Sequence, residues 1–240
     1  MVNNYKMSKL TALPSVLALL IVSAACSLGS YDSFDSAYSS AQSKFKEQDY
    51  SAAQEAFAAA LELAPDHLQR GRARNGLAEC LLESKDGDGC RDLAEETLQD
   101  FYGEPGRPQA DALRLIAESY RREKRVDEMR SILDRIGIFT SKSNEDLADF
   151  VRLGVASGFR QEKLRDESNE QFQIIVDSGR GYRFWAAYWL ARGAFESGNL
   201  DEARGHLGRL RAEMPDTNSP EVSAELRTAV EGLSARLGAE

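Results

Sequence analysis

Few side chains in this sequence have the types and spacing that chemistry needs. His67 follows the turn at Pro65 and His206 lies in a helical stretch, and neither has Cys, His or carboxylate partners at metal-ligand spacing. The Gly-rich phosphate loop, the G-x-S-x-G elbow and the H-E-x-x-H helix are absent, and with them the local signs of phosphoryl transfer, acyl transfer and metal hydrolysis. The acid pairs Glu95-Glu96 and Asp127-Glu128 would act as acid and base only across a cleft; on helices they read as solvated surface. The sequence therefore predicts no catalytic residue, no metal and no cofactor. An enzyme or enzyme subunit with a noncontiguous active site is the alternative. What remains is recognition chemistry: a basic run, Arg121-Arg122-Glu123-Lys124-Arg125, and an aromatic segment from Tyr182 to Arg192 that holds both tryptophans of the chain. Aromatics beside Arg are the usual material of protein-binding hot spots.

The elements that must position these residues are helical. Beyond residue 34, apolar residues recur at spacings of three and four, broken at Gly, Pro or Asp clusters, and no strand-like alternation occurs. The pattern A-x3-F/L-x2-A/L-x4-P occurs twice, as Ala53, Phe57, Ala60 and Pro65 and as Ala203, Leu207, Leu210 and Pro215. Each copy follows a similar turn, at residues 48–52 and 198–202. Looser versions lie between them: Leu77, Ala78 and Leu81 with Ala94, Leu98 and Phe101; Ala117 and Tyr120 with Met129, Leu133 and Ile136; and Val155, Ala156 and Phe159 with Ser168, Phe172 and Ile175. The pairs are predicted to begin near residues 34, 71, 110, 149 and 184. A last helix, opened by Ser219-Pro220-Glu221 and running to about Leu237, places Val222, Leu226, Val230, Leu233 and Leu237 on one face.

These residues resemble the tetratricopeptide repeat, a helix-turn-helix whose small residues let two helices approach and whose closing Pro ends the second. An unrelated helical bundle would share the spacing but not the Pro-terminated repeats. The resemblance implies an all-α, right-handed superhelix (solenoid) of about five helix pairs over residues 34–218, with a C-terminal capping helix over 219–240. It also implies a non-enzymatic scaffold that holds a protein or peptide in its concave face, which the first helices line. Phase then puts Asp111, Arg114, Glu118 and Arg121 on that face, although the basic run also suits a helix C-terminus, where cations offset the dipole. On the fifth pair, Ala187, Leu190, Ala191 and Ala194 would face the partner helix, leaving Trp185, Tyr188, Arg192 and Phe195 toward the groove. The other reading packs those rings between repeats.

The first 25 residues differ from the rest: Lys6 and Lys9 precede an apolar run from Leu10 to Val22 that ends in Ser23-Ala24-Ala25 before Cys26. This reads as an export signal, since the run is interrupted by Pro14 and is short of the roughly 20 residues that cross a bilayer. Small residues before a cysteine resemble a bacterial lipobox with Cys26 as the lipidated residue, though Ser23 stands where the pattern prefers an aliphatic. Ordinary signal-peptide cleavage is the other outcome. Residues 26–33 would form a tether, and Ser27 resembles the outer-membrane sorting signal, so the expected place is the bacterial envelope, on the periplasmic face of the outer membrane. Tetratricopeptide lipoproteins of this size include the lipoprotein D subunit of the β-barrel assembly machinery. That likeness implies a role in outer-membrane assembly, and division coordinators and pilotins share the same ingredients. In that compartment Cys80 and Cys90 would either bridge one hairpin or stay buried as thiols. Net charge is −9 for the chain; without Lys6 and Lys9 it is 28 basic against 39 acidic residues, or −11, which argues against nucleic acid as a partner.

Overall fold

A computed structural model describes residues 31–100, 105–139, 141, 144–215 and 222–238. Among the described residues it contains eleven α-helices and no strand: α1 (Phe34–Lys46), α2 (Tyr50–Glu62), α3 (His67–Glu83), α4 (Gly87–Gln99), α5 (Arg107–Arg122), α6 (Val126–Arg135), α7 (Glu145–Gln161), α8 (Arg165–Ser178), α9 (Arg183–Glu196), α10 (Leu200–Glu213) and α11 (Ala224–Gly238). A short 3₁₀ turn, Ile136–Ile138, follows α6. Helices join in five pairs, and the substantial contacts run within a pair or to the next one along the chain. The chain is an all-α helical repeat solenoid, as the repeat pattern implies.

One turn closes every pair. The residue two beyond the first helix adopts the left-handed conformation each time: Gln48 (φ 64°), Lys85 (67°), Lys124 (63°), Lys163 (66°) and Gly198 (79°). The next amide reaches back to the carbonyl five residues earlier, as in Asp49 N–H to Lys44 (3.0 Å), Asp86 to Leu81 (2.9 Å), Arg125 to Tyr120 (2.9 Å), Leu164 to Phe159 (2.9 Å) and Asn199 to Ala194 (2.9 Å). These bonds satisfy carbonyls that a helix end leaves without partners. In two pairs the same residue starts the second helix, because Asp49 and Asp86 accept the N–H of Ala52 (3.1 Å) and Gly89 (2.9 Å).

The pairs begin at residues 34, 67, 107, 145 and 183, up to four residues ahead of the expected starts. Polar first turns explain the difference. Asp66 caps α3 through the Gln69 amide (2.7 Å) and Gly106 opens α5 with Pro108 in its first turn, before any apolar periodicity appears. The longer central spacing lies in the first helices α3, α5 and α7, of 17, 16 and 17 residues, and in the connections after α4 and α6. At the far end α11 starts at Ala224, later than expected, and buries Leu226, Val230, Leu233 and Leu237 against α9 and α10, with Val222 buried just ahead of the helix. Residues 219–221, named as its opening, lie outside the described residues, as does Phe101.

A side chain in the left-handed region costs about 1–2 kcal/mol, and four of the five turns carry one. Lys163→Gly, at an exposed position, is expected to stabilise the chain by up to about 1 kcal/mol, and Gly198→Ala to destabilise it by about 1 kcal/mol. Chemical denaturation of both variants checks the pair; equal effects would mean that the turns do not constrain the stack.

Candidate partner-binding groove

A concavity of about 420 Å³ lies across α1, α3 and α5. Helical spacing builds each wall. On α3 the positions Leu68, Arg72, Asn75, Glu79 and Glu83 follow one another at three and four residues and so form one stripe; Asp111, Arg114, Glu118 and Arg122 do the same on α5, and Tyr38, Gln42 and Phe45 on α1. Small residues set the depth. A Cβ at Gly76 would lie 2.4 Å from the Phe57 ring, so glycine is what lets α3 close onto α2. Tyr38 stands edge-on to that ring at 5.5 Å, and the Arg72 guanidinium lies 4.8 Å over Tyr38. Leu68 remains 47% exposed at the rim.

Most charges in the groove are already engaged. Arg122 bridges Glu83 (2.6 Å) and Glu118 (2.9 Å) and donates to the Leu82 carbonyl (3.1 Å), tying α5 to α3. Asp111 holds Arg107 at 3.1 Å, and Arg114 lies 3.9 Å from Asp111 while stacking over Phe150 at 4.7 Å. Glu79 is different. It is exposed on the groove side of α3 and is in none of the ion pairs above. Loss of hydration pushes its carboxyl above the usual range; Arg114 and Arg122 oppose that rise, and Glu83 and Asp111 add to it. Beside it, Asn75 donates to the Pro108 carbonyl (2.8 Å), which can only accept, so the amide oxygen faces the other way and is buried without a donor.

The structure distributes the residues singled out in the sequence as follows. Asp111, Arg114 and Glu118 line the groove as phase predicts. Arg121 lies round the helix in a smaller recess between α5 and α7, held by Glu118 (2.7 Å) and Glu162 (3.5 Å). On α9 the expectation is corrected. Tyr188 is buried in one cluster with Leu226, Val230 and Leu233, and Trp185 and Phe195 pack on that cluster. Arg236 of α11 stacks over the Phe195 ring at 4.5 Å. The capping helix therefore takes the seat assigned to a partner, and Arg192, bound to Glu196 (2.7 Å) and lying over Trp189, borders it. Ala186 and Leu190 face the preceding repeat, whereas Ala191 and Ala194 face α10 and α11.

Cys80 and Cys90 are free thiols, fully buried in the core of the second pair, and burial pushes each up to about 12. Such thiols stay protonated at neutral pH and are poor nucleophiles. Cys26 lies outside the described residues. His206 does have a carboxylate nearby, Glu202 one turn earlier at 3.7 Å, which the sequence reading passed over. No group of three or more ligand residues occurs among the described residues. Sequence reasoning missed the α1 and α3 walls, Glu79 above all. The signal was present as the stripe from Leu68 to Glu83, but that stripe mixes apolar, basic, amide and acidic residues and has no amphipathic contrast.

A carboxylate whose proton affinity is raised by folding costs stability when ionised. The penalty is absent below the unfolded value of about 4.5 and grows as pH rises through the raised one. Glu79→Gln is therefore expected to raise the melting temperature by roughly 1–2 °C at pH 7 and to change nothing at pH 4. Melting curves at the two pH values decide it, and a destabilised variant would mean that Glu79 has a structural partner.

No curated protein matches this chain. Residues 44–105 match the tetratricopeptide repeat family model, from the end of α1 through α4. The match takes in the second pair, which fits the repeat pattern only loosely by eye, and it supplies Phe45, Phe57, Asn75, Gly76 and Glu79 of the groove. The α3 wall of the candidate site thus lies within the matched segment.

Proposed function

We propose that this chain is a non-enzymatic scaffold of the bacterial envelope that holds a segment of a partner protein in the groove of α1, α3 and α5. The single observation that carries the reading is that groove: about 420 Å³, open along its length, with an apolar rim at Leu68 and Tyr38 and a floor of engaged charges. Tetratricopeptide repeats are in general protein-interaction modules, and the first helices supply the concave surface. An extended chain fits such a trough better than a small substrate does, because little of a small molecule would be enclosed. The envelope part of the proposal rests on residues 1–26, with Cys26 as the lipid anchor and residues 27–33 as a short tether at the periplasmic face of the outer membrane. A role in outer-membrane assembly rests on likeness of repeat number, and the partner's identity decides it.

A photo-crosslinking amino acid placed at Leu68 or Gln42 is expected to give one discrete adduct in intact cells, and the same residue at the outward Asp127 none. Adducts at Arg192 alone would move the site to the fifth pair. Cys26→Ser is expected to shift the protein from the membrane to the soluble envelope fraction; unchanged fractionation would remove the lipid anchor.

A further inference from the structure

We infer that Phe150 is a positioning residue for the groove: from α7, outside the lining, it holds Arg107 and Arg114 in the direction in which the partner segment meets them. The inference rests on the groove reading above and adds a residue on which binding there depends.

Two guanidiniums converge on one ring. Arg107 lies 3.8 Å over the centre of Phe150 and Arg114 4.7 Å over it. The two are seven residues apart on α5, about 10 Å along the axis at 1.5 Å per residue, so their stems lean toward each other to reach the same ring. Asp111 stands between them, 3.1 Å from Arg107 and 3.9 Å from Arg114. One carboxylate offsets one of the two positive charges. The ring holds the other by its negative face, which fixes a cation without neutralising it. All three charged residues line the groove, and the ring does not.

The ring is itself fixed from the fifth pair. Tyr182, just ahead of α9, meets it at 5.5 Å, and the adjoining Asp149 is almost fully buried and held by Arg180 through bonds of 2.6 and 2.8 Å. One turn further along α7, Gly154 leaves room for the arginine stem: a Cβ there would come 3.1 Å from the Arg114 Cγ and 3.2 Å from its Nε. An arginine in open solvent samples many rotamers, and a partner that binds one of them must first order it. Arg114 is exposed yet lies against Phe150, so its ordering accompanies folding and not binding. Arg107 has a second tether in Asp111 and depends less on the ring.

Phe150→Leu removes the aromatic face and keeps an apolar side chain; Phe150→Tyr keeps the face. In the full-length chain, the heteronuclear NOE at the Arg114 Nε–H reports whether that side chain is ordered, and the backbone amides of α5 report on the helix. The Arg114 side chain is expected to be ordered in the parent and in Phe150→Tyr and to become mobile in Phe150→Leu, with the α5 amides unchanged. A photo-crosslinking amino acid at Leu68 is expected to keep its adduct in intact cells with Phe150→Tyr and to lose most of it with Phe150→Leu. An Arg114 side chain that stays ordered in Phe150→Leu, α5 amides that loosen with it, or an adduct that Phe150→Leu leaves at full yield would each overturn the inference and leave the groove standing. No Leu68 adduct in the parent, with Arg114 released by Phe150→Leu as expected, would overturn the groove reading and not the positioning of Arg114.

Discussion

Everything on the concave side depends on a turn of three residues that recurs five times with the same hydrogen bonds. A left-handed residue two positions past the first helix reverses the chain, and the following amide ties back to a carbonyl five residues earlier. That geometry turns the chain so that the second helix packs back on the first. Because the turn repeats, the first helices come to lie side by side, and residues with no sequence proximity, such as Tyr38, Glu79 and Glu118, line one trough. The site is a consequence of backbone regularity before it is a consequence of side-chain chemistry.

Ion pairs then stitch pair to pair. Arg91 on α4 is bound by Glu123 (2.8 Å), just past α5, and by Ser119 and Asp88; Arg135 forks onto Glu95 (2.6 and 2.8 Å); and Arg160 on α7 meets Glu196 on α9. Asp149, almost fully buried, is held by Arg180 through two hydrogen bonds of 2.6 and 2.8 Å. Exposed pairs of this kind add little each, while a buried one is costly to break. Their larger effect is to specify which neighbour a repeat accepts.

The fold was legible because periodicity and small residues were enough: the helix pairs, their order and the apolar face of α11 follow from spacing at three and four. The turns were harder to read. Gln48, Lys85, Lys124 and Lys163 occupy positions where glycine would have announced the left-handed backbone, and Gly198 alone does so. Phase on a single helix placed Asp111, Arg114 and Glu118 correctly. It failed for Tyr188, because phase says which way a side chain points and not what later comes to cover it; α11 follows α9 by a whole helix in sequence and returns to it in space. Glu79 could not be distinguished by sequence, since the rise in its carboxyl is set by packing in the groove and by Arg114, Glu83, Asp111 and Arg122, three of which lie on another helix.

The ends of a solenoid are unequal, and here the inequality places the site. A stack must hide the apolar edge of its last repeat, and α11 does so by taking over the aromatic face of α9, where Tyr188, Trp185 and Phe195 would otherwise attract a ligand. The aromatic residues most like a hot spot are thereby spent on closing the fold. In the first three pairs no such helix intrudes among the described residues, and the trough between α1, α3 and α5 stays open. Its lining is less hydrophobic than the fifth pair's and carries acidic and basic side chains along α3 and α5, so a segment proposed to dock there would be chosen more by charge than by apolar area.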